Sequence, residues 1–144
     1  MSFLVDTNVL SELRKGARCS ERVMEWFAGV GDEDIFLSVL TIGEVRKGVD
    51  TLRRRDPRSA AVLDRWLRGI VESFRDRILP IDEAIAEEWG RMNVPDPLPV
   101  IYGLLAATAK VRDLTLATRN TKHVARTGVS YLNPFLPKSQ SRSH

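Results

Sequence analysis

One cysteine, Cys19, and two histidines, His123 and His144, stand in a chain of 144 residues. No internal disulfide can form, and the histidines are too sparse for a zinc site, so any metal bound here would be held by oxygen. No run reaches the ~18 apolar residues of a membrane-spanning helix. The opening MSFLVDTNVL meets Asp6 too early for the apolar stretch of a secretory leader, and a cytoplasmic location is expected. Neither G-x-x-x-x-G-K-[ST] nor G-x-G-x-x-G occurs, which removes the common phosphate-cradling nucleotide sites. No internal repeat is present, so a solenoid is excluded. Acids are absent over a whole region: neither Asp nor Glu occurs from Leu114 onward, where Arg119, Lys122, Arg126, Lys138 and Arg142 lie.

The remainder is globular in character, 43% hydrophobic and 28% charged with a net charge of +3, and its size suits one domain. A second basic cluster runs from Arg46 to Arg58, where Arg46, Lys47, Arg53, Arg54, Arg55 and Arg58 outnumber Asp50 and Asp56. Both clusters suit a polyanion, and either could instead be a solvated helix face.

Five short apolar runs read as strands: FLVD at 3–6, DIFLSVL at 34–40, RILPI at 77–81, LTLAT at 114–118 and VSYL at 129–132. Between them the period becomes helical. Val23, Trp26, Phe27 and Val30 mark one helix, Ile42, Val45, Val49 and Leu52 a second, and Leu63 to Phe74 a third that follows the Asp56-Pro57 step. Ile85, Trp89 and Met92 mark a fourth. Ile101, Leu104, Leu105 and Thr108 mark a fifth that begins near Pro99, with Tyr102 at its first turn. Strands alternating with helices predict an α/β fold with a mostly parallel sheet of four or five strands. Function in such sheets collects beyond the carboxyl ends of the strands.

Three strand ends carry polar residues. Asp6-Thr7-Asn8 closes the first and reads either as a helix cap or as part of a cation site. After the second strand come Ser38, Thr41 and Glu44, with Glu44 expected in the first turn of the next helix as a dipole partner or a ligand. Thr118-Arg119-Asn120 closes the fourth, where Arg119 could grip a phosphate. Carboxylates that converge on one edge suit Mg2+ or Mn2+. A phosphoryl-transfer receiver would need a second acid directly after Asp6, and none is there.

The segments LVDTNVLSEL at 4–13, LSVLTIGEVRKGV at 37–49, RILPID at 77–82, LLAATA at 104–109, LTLATRNT at 114–121 and YLNPF at 131–135 resemble the PIN-domain family. Within it they resemble the VapC-type ribonuclease toxins of bacterial toxin–antitoxin pairs, in their FitB-like branch. The resemblance covers residues 1–137, with 138–144 expected as a basic, disordered tail. It implies an α/β/α sandwich whose clustered acids bind Mg2+, with Mn2+ able to substitute, and cut RNA. It also implies a homodimer, a VapB-type antitoxin, a larger complex on operator DNA, and no membrane association. Asp6 and Glu44 match two of the family's acids. The third position is Tyr102, and the fourth region shows Asn120 with His123 where an Asp commonly follows. Thr7, Asn8, Thr118, Arg119 and His123 are the residues expected to meet substrate phosphate. Asp96 is the nearest other carboxylate and is not expected to reach the site. The substitution at 102 implies either an impaired nuclease or a catalytically silent module that binds antitoxin or RNA. The Tyr102 ring is expected in the pocket with its hydroxyl donating to Asp6 or Glu44, unless it is an ordinary core tyrosine. Trp66, Leu67, Ile70 and Phe74 are expected to supply apolar surface for the homodimer.

Overall fold

Residues 1–142 are described by the computed structural model, and 143–144, including His144, lie outside the described residues. Five parallel strands form one sheet in the order β3-β2-β1-β4-β5. They are β1 (Phe3–Val5), β2 (Ile35–Ser38), β3 (Ile78–Leu79), β4 (Thr115–Ala117) and β5 (Tyr131–Leu132). The helices are α1 (Thr7–Arg14), α2 (Glu21–Ala28), α3 (Val39–Arg53), α4 (Pro57–Ser73), α5 (Glu83–Met92), α6 (Val100–Val111) and α7 (Thr121–Val124). The α/β reading and all five strand positions hold, each strand shorter than its apolar run.

Alternation along the strands divides the core. Phe3, Val5, Ile35 and Leu37 point to one face and pack with Val9, Leu10 and Val23 of α1 and α2. Leu4 and Leu116 point to the other and meet Tyr102, Leu105, Ala106 and Ala109 of α6. A third cluster, Val45, Val49 and Leu67, joins α3 to α4. Leu4, Leu37, Leu67, Leu105 and Leu116 are among the largest fully buried side chains, each contributing about 2 kcal/mol of apolar burial.

Leu67 is 2% exposed, while Trp66, Ile70 and Phe74 pack against the core that α1 and α2 share with the sheet, so this apolar stripe is mostly used within the chain. The tail is partly ordered as well. Lys138–Gln140 forms a 3-10 turn, the Asn133 amide donates to the Ser141 carbonyl at 2.6 Å, and Leu132 bridges to Arg142 in antiparallel fashion.

Candidate active site

Strand β1 ends one residue before α1, and that residue is Asp6. The side chain caps the helix by accepting from the Thr7 amide at 2.7 Å. Its second oxygen accepts from Thr118 Oγ1 at 2.8 Å and from Asn8 Nδ2 at 3.2 Å. Thr7 turns the opposite way, its hydroxyl donating to Glu44 Oε1 at 2.6 Å. One threonine thus ties the two carboxylates together through its amide and its hydroxyl. Ser38 ends β2 and caps α3, which starts at Val39, so Glu44 lies in the second helical turn and not the first. Both acids face a cavity of about 560 Å3 shared with Asn8, Tyr102 and Leu105. Pro99, Val100 and Ile101 complete its apolar side.

Asp6 is 7% exposed, and burial pushes its carboxyl above the usual range. Hydrogen bonds from Thr118 and Thr7 pull the other way, and the Glu44 charge adds a further upward push. No cation pairs with either acid within salt-bridge distance among the described residues. Of roughly four lone-pair positions on the Asp6 carboxylate, three are taken by neutral donors. The free position, together with Glu44, is a donor set for a hard cation held by one or two carboxylates and completed by water and phosphate. The residues fit such an ion, with two protein carboxylates and no third. No group of three or more His, Cys, Asp or Glu side chains is placed to hold a metal among the described residues.

Tyr102 stands at the cavity as expected, but its hydroxyl does not donate to Asp6 or Glu44. It donates to the Asn120 backbone carbonyl. The ring is 8% exposed and belongs to the α6 core, and burial pushes its phenol up to about 12. The buried stripe of α6 therefore runs through Tyr102, Leu105, Ala106 and Ala109, while Ile101, expected inside, is 36% exposed at the cavity. His123 meets the Tyr102 ring edge-on with centroids 5.9 Å apart. At the end of β4 the three polar residues separate. Thr118 holds Asp6, Asn120 accepts from Tyr102, and Arg119 lays its guanidinium 4.4 Å over the Phe135 ring. Arg119 is thus directed to the flank of the site. Asp96 is exposed and faces Arg126 at 3.9 Å.

With the geometry in place, the chain can be set beside known proteins. The PIN domain family matches residues 3–129. The chain belongs to that family. This PIN domain is 34% identical over 138 residues to Toxin FitB of Neisseria gonorrhoeae, covering 92% of the chain and 98% of that protein. It is 27% identical to VapC ribonuclease Y4jK of Sinorhizobium fredii, over 94% of the chain and 99% of that protein. The solved structure of FitAB bound to an IR36 DNA fragment superposes with a TM-score of 0.85 at 32% identity, covering 94% of the chain and 97% of that one.

Sequence reasoning missed the apolar wall of the PIN-domain site. Val100 and Ile101 are both exposed there. The signal was the Pro99 start, which puts both residues in the first turn of α6, beside the strand ends. Thr7, expected against substrate phosphate, lines the cavity and donates its hydroxyl to Glu44.

Proposed function

We propose that the chain is the toxin of a type II toxin–antitoxin pair and an endoribonuclease that cuts RNA phosphodiesters with a divalent cation, Mg2+ or Mn2+, at Asp6 and Glu44. The observation that carries this reading is the pair of acids on one cavity, bridged by Thr7 and paired with no cation among the described residues. When bound, the cation supplies Lewis-acid stabilisation of charge building on the phosphodiester oxygens. The chain's own residues do the positioning. Thr118 and Asn8 fix the Asp6 carboxylate, Thr7 fixes Glu44, and Pro99, Val100 and Ile101 present an apolar side against which a nucleotide excludes water.

Tyr102 weakens this activity. Its hydroxyl donates to the Asn120 carbonyl and burial keeps the phenol protonated, so it brings no anionic charge to the cation. That engagement favours the second reading, a silent module that binds antitoxin or RNA. A similar solved structure, a toxin-antitoxin complex from Klebsiella pneumoniae, supports an antitoxin partner here, taken to be VapB-type, and FitAB on DNA supports a complex on operator DNA. A homodimer, a cytoplasmic location and a PIN domain ending near residue 137 complete the proposal; no helix among the described residues is long and apolar enough to cross a membrane.

The test incubates the purified chain and its Tyr102→Asp form with total RNA, with Mg2+ or EDTA, and maps the new ends. Slow Mg2+-dependent cleavage that Tyr102→Asp accelerates supports the nuclease reading. Cleavage by neither form supports the silent module, and cleavage that survives EDTA counts against both.

A further inference from the structure

The two basic clusters have different fates in the fold. In the cluster from Arg46 to Arg58, Arg46 pairs with Asp64 at 2.9 Å, and Arg53 reaches Asp50 at 3.0 Å and Asp64 at 3.5 Å. In the C-terminal cluster, Lys138 and Arg142 come beside Arg22 of α2, and none of the three pairs with a carboxylate among the described residues. They surround a cavity of about 210 Å3 with apolar walls from Trp26, Leu132 and Leu136. A cavity of about 360 Å3 adjoins it and shares Trp26, Lys138 and Arg142. Glu25 borders both, Asp34 borders the second, and Arg22, Lys138 and Arg142 still leave the first with a positive excess.

This flank is continuous with the carboxylates. Arg22 also borders an open hollow that reaches Phe135, and Arg119 lies on the Phe135 ring. The Arg119 amide donates to Asn8 Oδ1 at 3.2 Å, and Asn8 donates to Asp6. A row of cations interleaved with aromatic and aliphatic surface therefore leads from Asp6 around α2 to Trp26, with Glu12 near Arg119 and Glu21, Glu25 and Asp34 further along as its bordering acids.

We propose that this flank binds the single-stranded RNA segment that adjoins the cleaved phosphodiester. The phosphates lie along Arg119, Arg22, Lys138 and Arg142, and an unstacked base sits against Trp26, Leu132 and Leu136. Single strands suit the surface because their bases are free to meet apolar walls while their phosphates meet cations. The proposal rests on the ribonuclease reading, and the two are tested apart.

Binding of a fluorescent mixed-sequence RNA of about 12 nucleotides is measured by anisotropy in EDTA across a salt series, where no metal-dependent cleavage competes. The variant Arg22→Ala/Lys138→Ala/Arg142→Ala is compared with Arg54→Ala/Arg58→Ala/Arg65→Ala, which removes the same charge from exposed positions on and before α4. Leu136→Glu, at an exposed position, tests the apolar wall. Melting curves establish that each variant is folded. The flank variant is expected to bind on the order of 10- to 100-fold more weakly, with a log–log salt slope shallower by about 2, while the distal variant changes less than about threefold. Equal weakening by both triple variants overturns the proposal, as does a flank variant that binds like the parent. Equal competition by duplex DNA, or preference for a poly-glutamate peptide over RNA, overturns it too. A parent chain that binds no RNA overturns the ribonuclease reading itself, whereas an unchanged flank variant leaves that reading standing.

Discussion

Asp6 and Asp64 are the same residue type handled in opposite ways. Asp64, on α4, gathers Arg46, Arg53 and Arg68 at 2.9, 3.5 and 3.6 Å, and these guanidinium groups hold its carboxyl below the usual range, the Arg46 hydrogen bond foremost. Asp6, at the sheet edge, receives only neutral donors and sits above the usual range because it is buried. The α3–α4 hairpin neutralises its anion and is finished. The sheet edge orients its anion without neutralising it, so the attraction for an incoming cation is kept. Neutral hydrogen-bond donors select geometry, whereas opposite charges consume reactivity.

The contrast is broken most severely at Asp6. Asp6→Asn should lower RNA cleavage by at least ~100-fold, since it removes a charge that would face the cation directly. Stability should move the other way. A carboxyl raised on folding contributes stability below its unfolded value and loses it as pH rises through the folded value, so ionised Asp6 opposes folding at neutral pH. Melting temperatures of Asp6→Asn at or above the parent at pH 7, with less advantage at pH 4, would bear this out. Lower values at pH 7 would show that the ionised cap is structural.

Tyr102→Asp sharpens the comparison by adding an anion to the same cavity. Titration calorimetry with Mn2+ should show affinity rising on the order of tenfold, because ligand charge count sets binding of hard cations. The variant should also lose roughly 3 kcal/mol of stability, as a large buried ring leaves the α6 core. Equal Mn2+ affinity in both forms would mean that position 102 does not reach the ion.

Smaller effects belong to the hairpin. Asp64→Asn should lower the melting temperature at pH 7, less so in high salt, and the difference should fade as acid protonates the parent's Asp64. The sign follows from a depressed carboxyl, whose stabilisation is present above its unfolded value and lost as pH falls through the folded one. Least of all should follow from Trp89→Phe. The Trp89 Nε1 is buried without a partner among the described residues, so removing it should change stability by no more than about 1 kcal/mol, measured by urea denaturation.

Much of this contrast was legible in the sequence, and the limits are physical. Phe3, Leu4 and Val5 announce a central strand because each has a covering layer, and the acid that follows can only emerge at the edge. Glu44 was readable as a site residue but misplaced by a turn, since the apolar run through Val39 and Leu40 hides the point at which Ser38 caps the helix. Helix α6 was harder. It is apolar on nearly every side, so periodicity alone does not reveal that Tyr102 is covered and Ile101 open. The orientation of Arg119 was invisible for a different reason: its partner Phe135 lies 16 residues downstream, and only the folded chain brings the ring beneath it.

The joints at Asp6 and Ser38 have a consequence in time. Asp6 directly follows β1, Ser38 is the last residue of β2, and each caps the next helix with no loop between. The Asp6 amide is locked to the Ala117 carbonyl at 2.9 Å, and the Thr118 amide to that of Leu132 at 2.9 Å. A carboxylate carried on such a joint has no local hinge, so it is expected to stay in place and not to move on the microsecond scale of a lid. The amides of these joints should exchange with deuterium only when the whole domain unfolds, and the proposed RNA would meet Asp6 already in place.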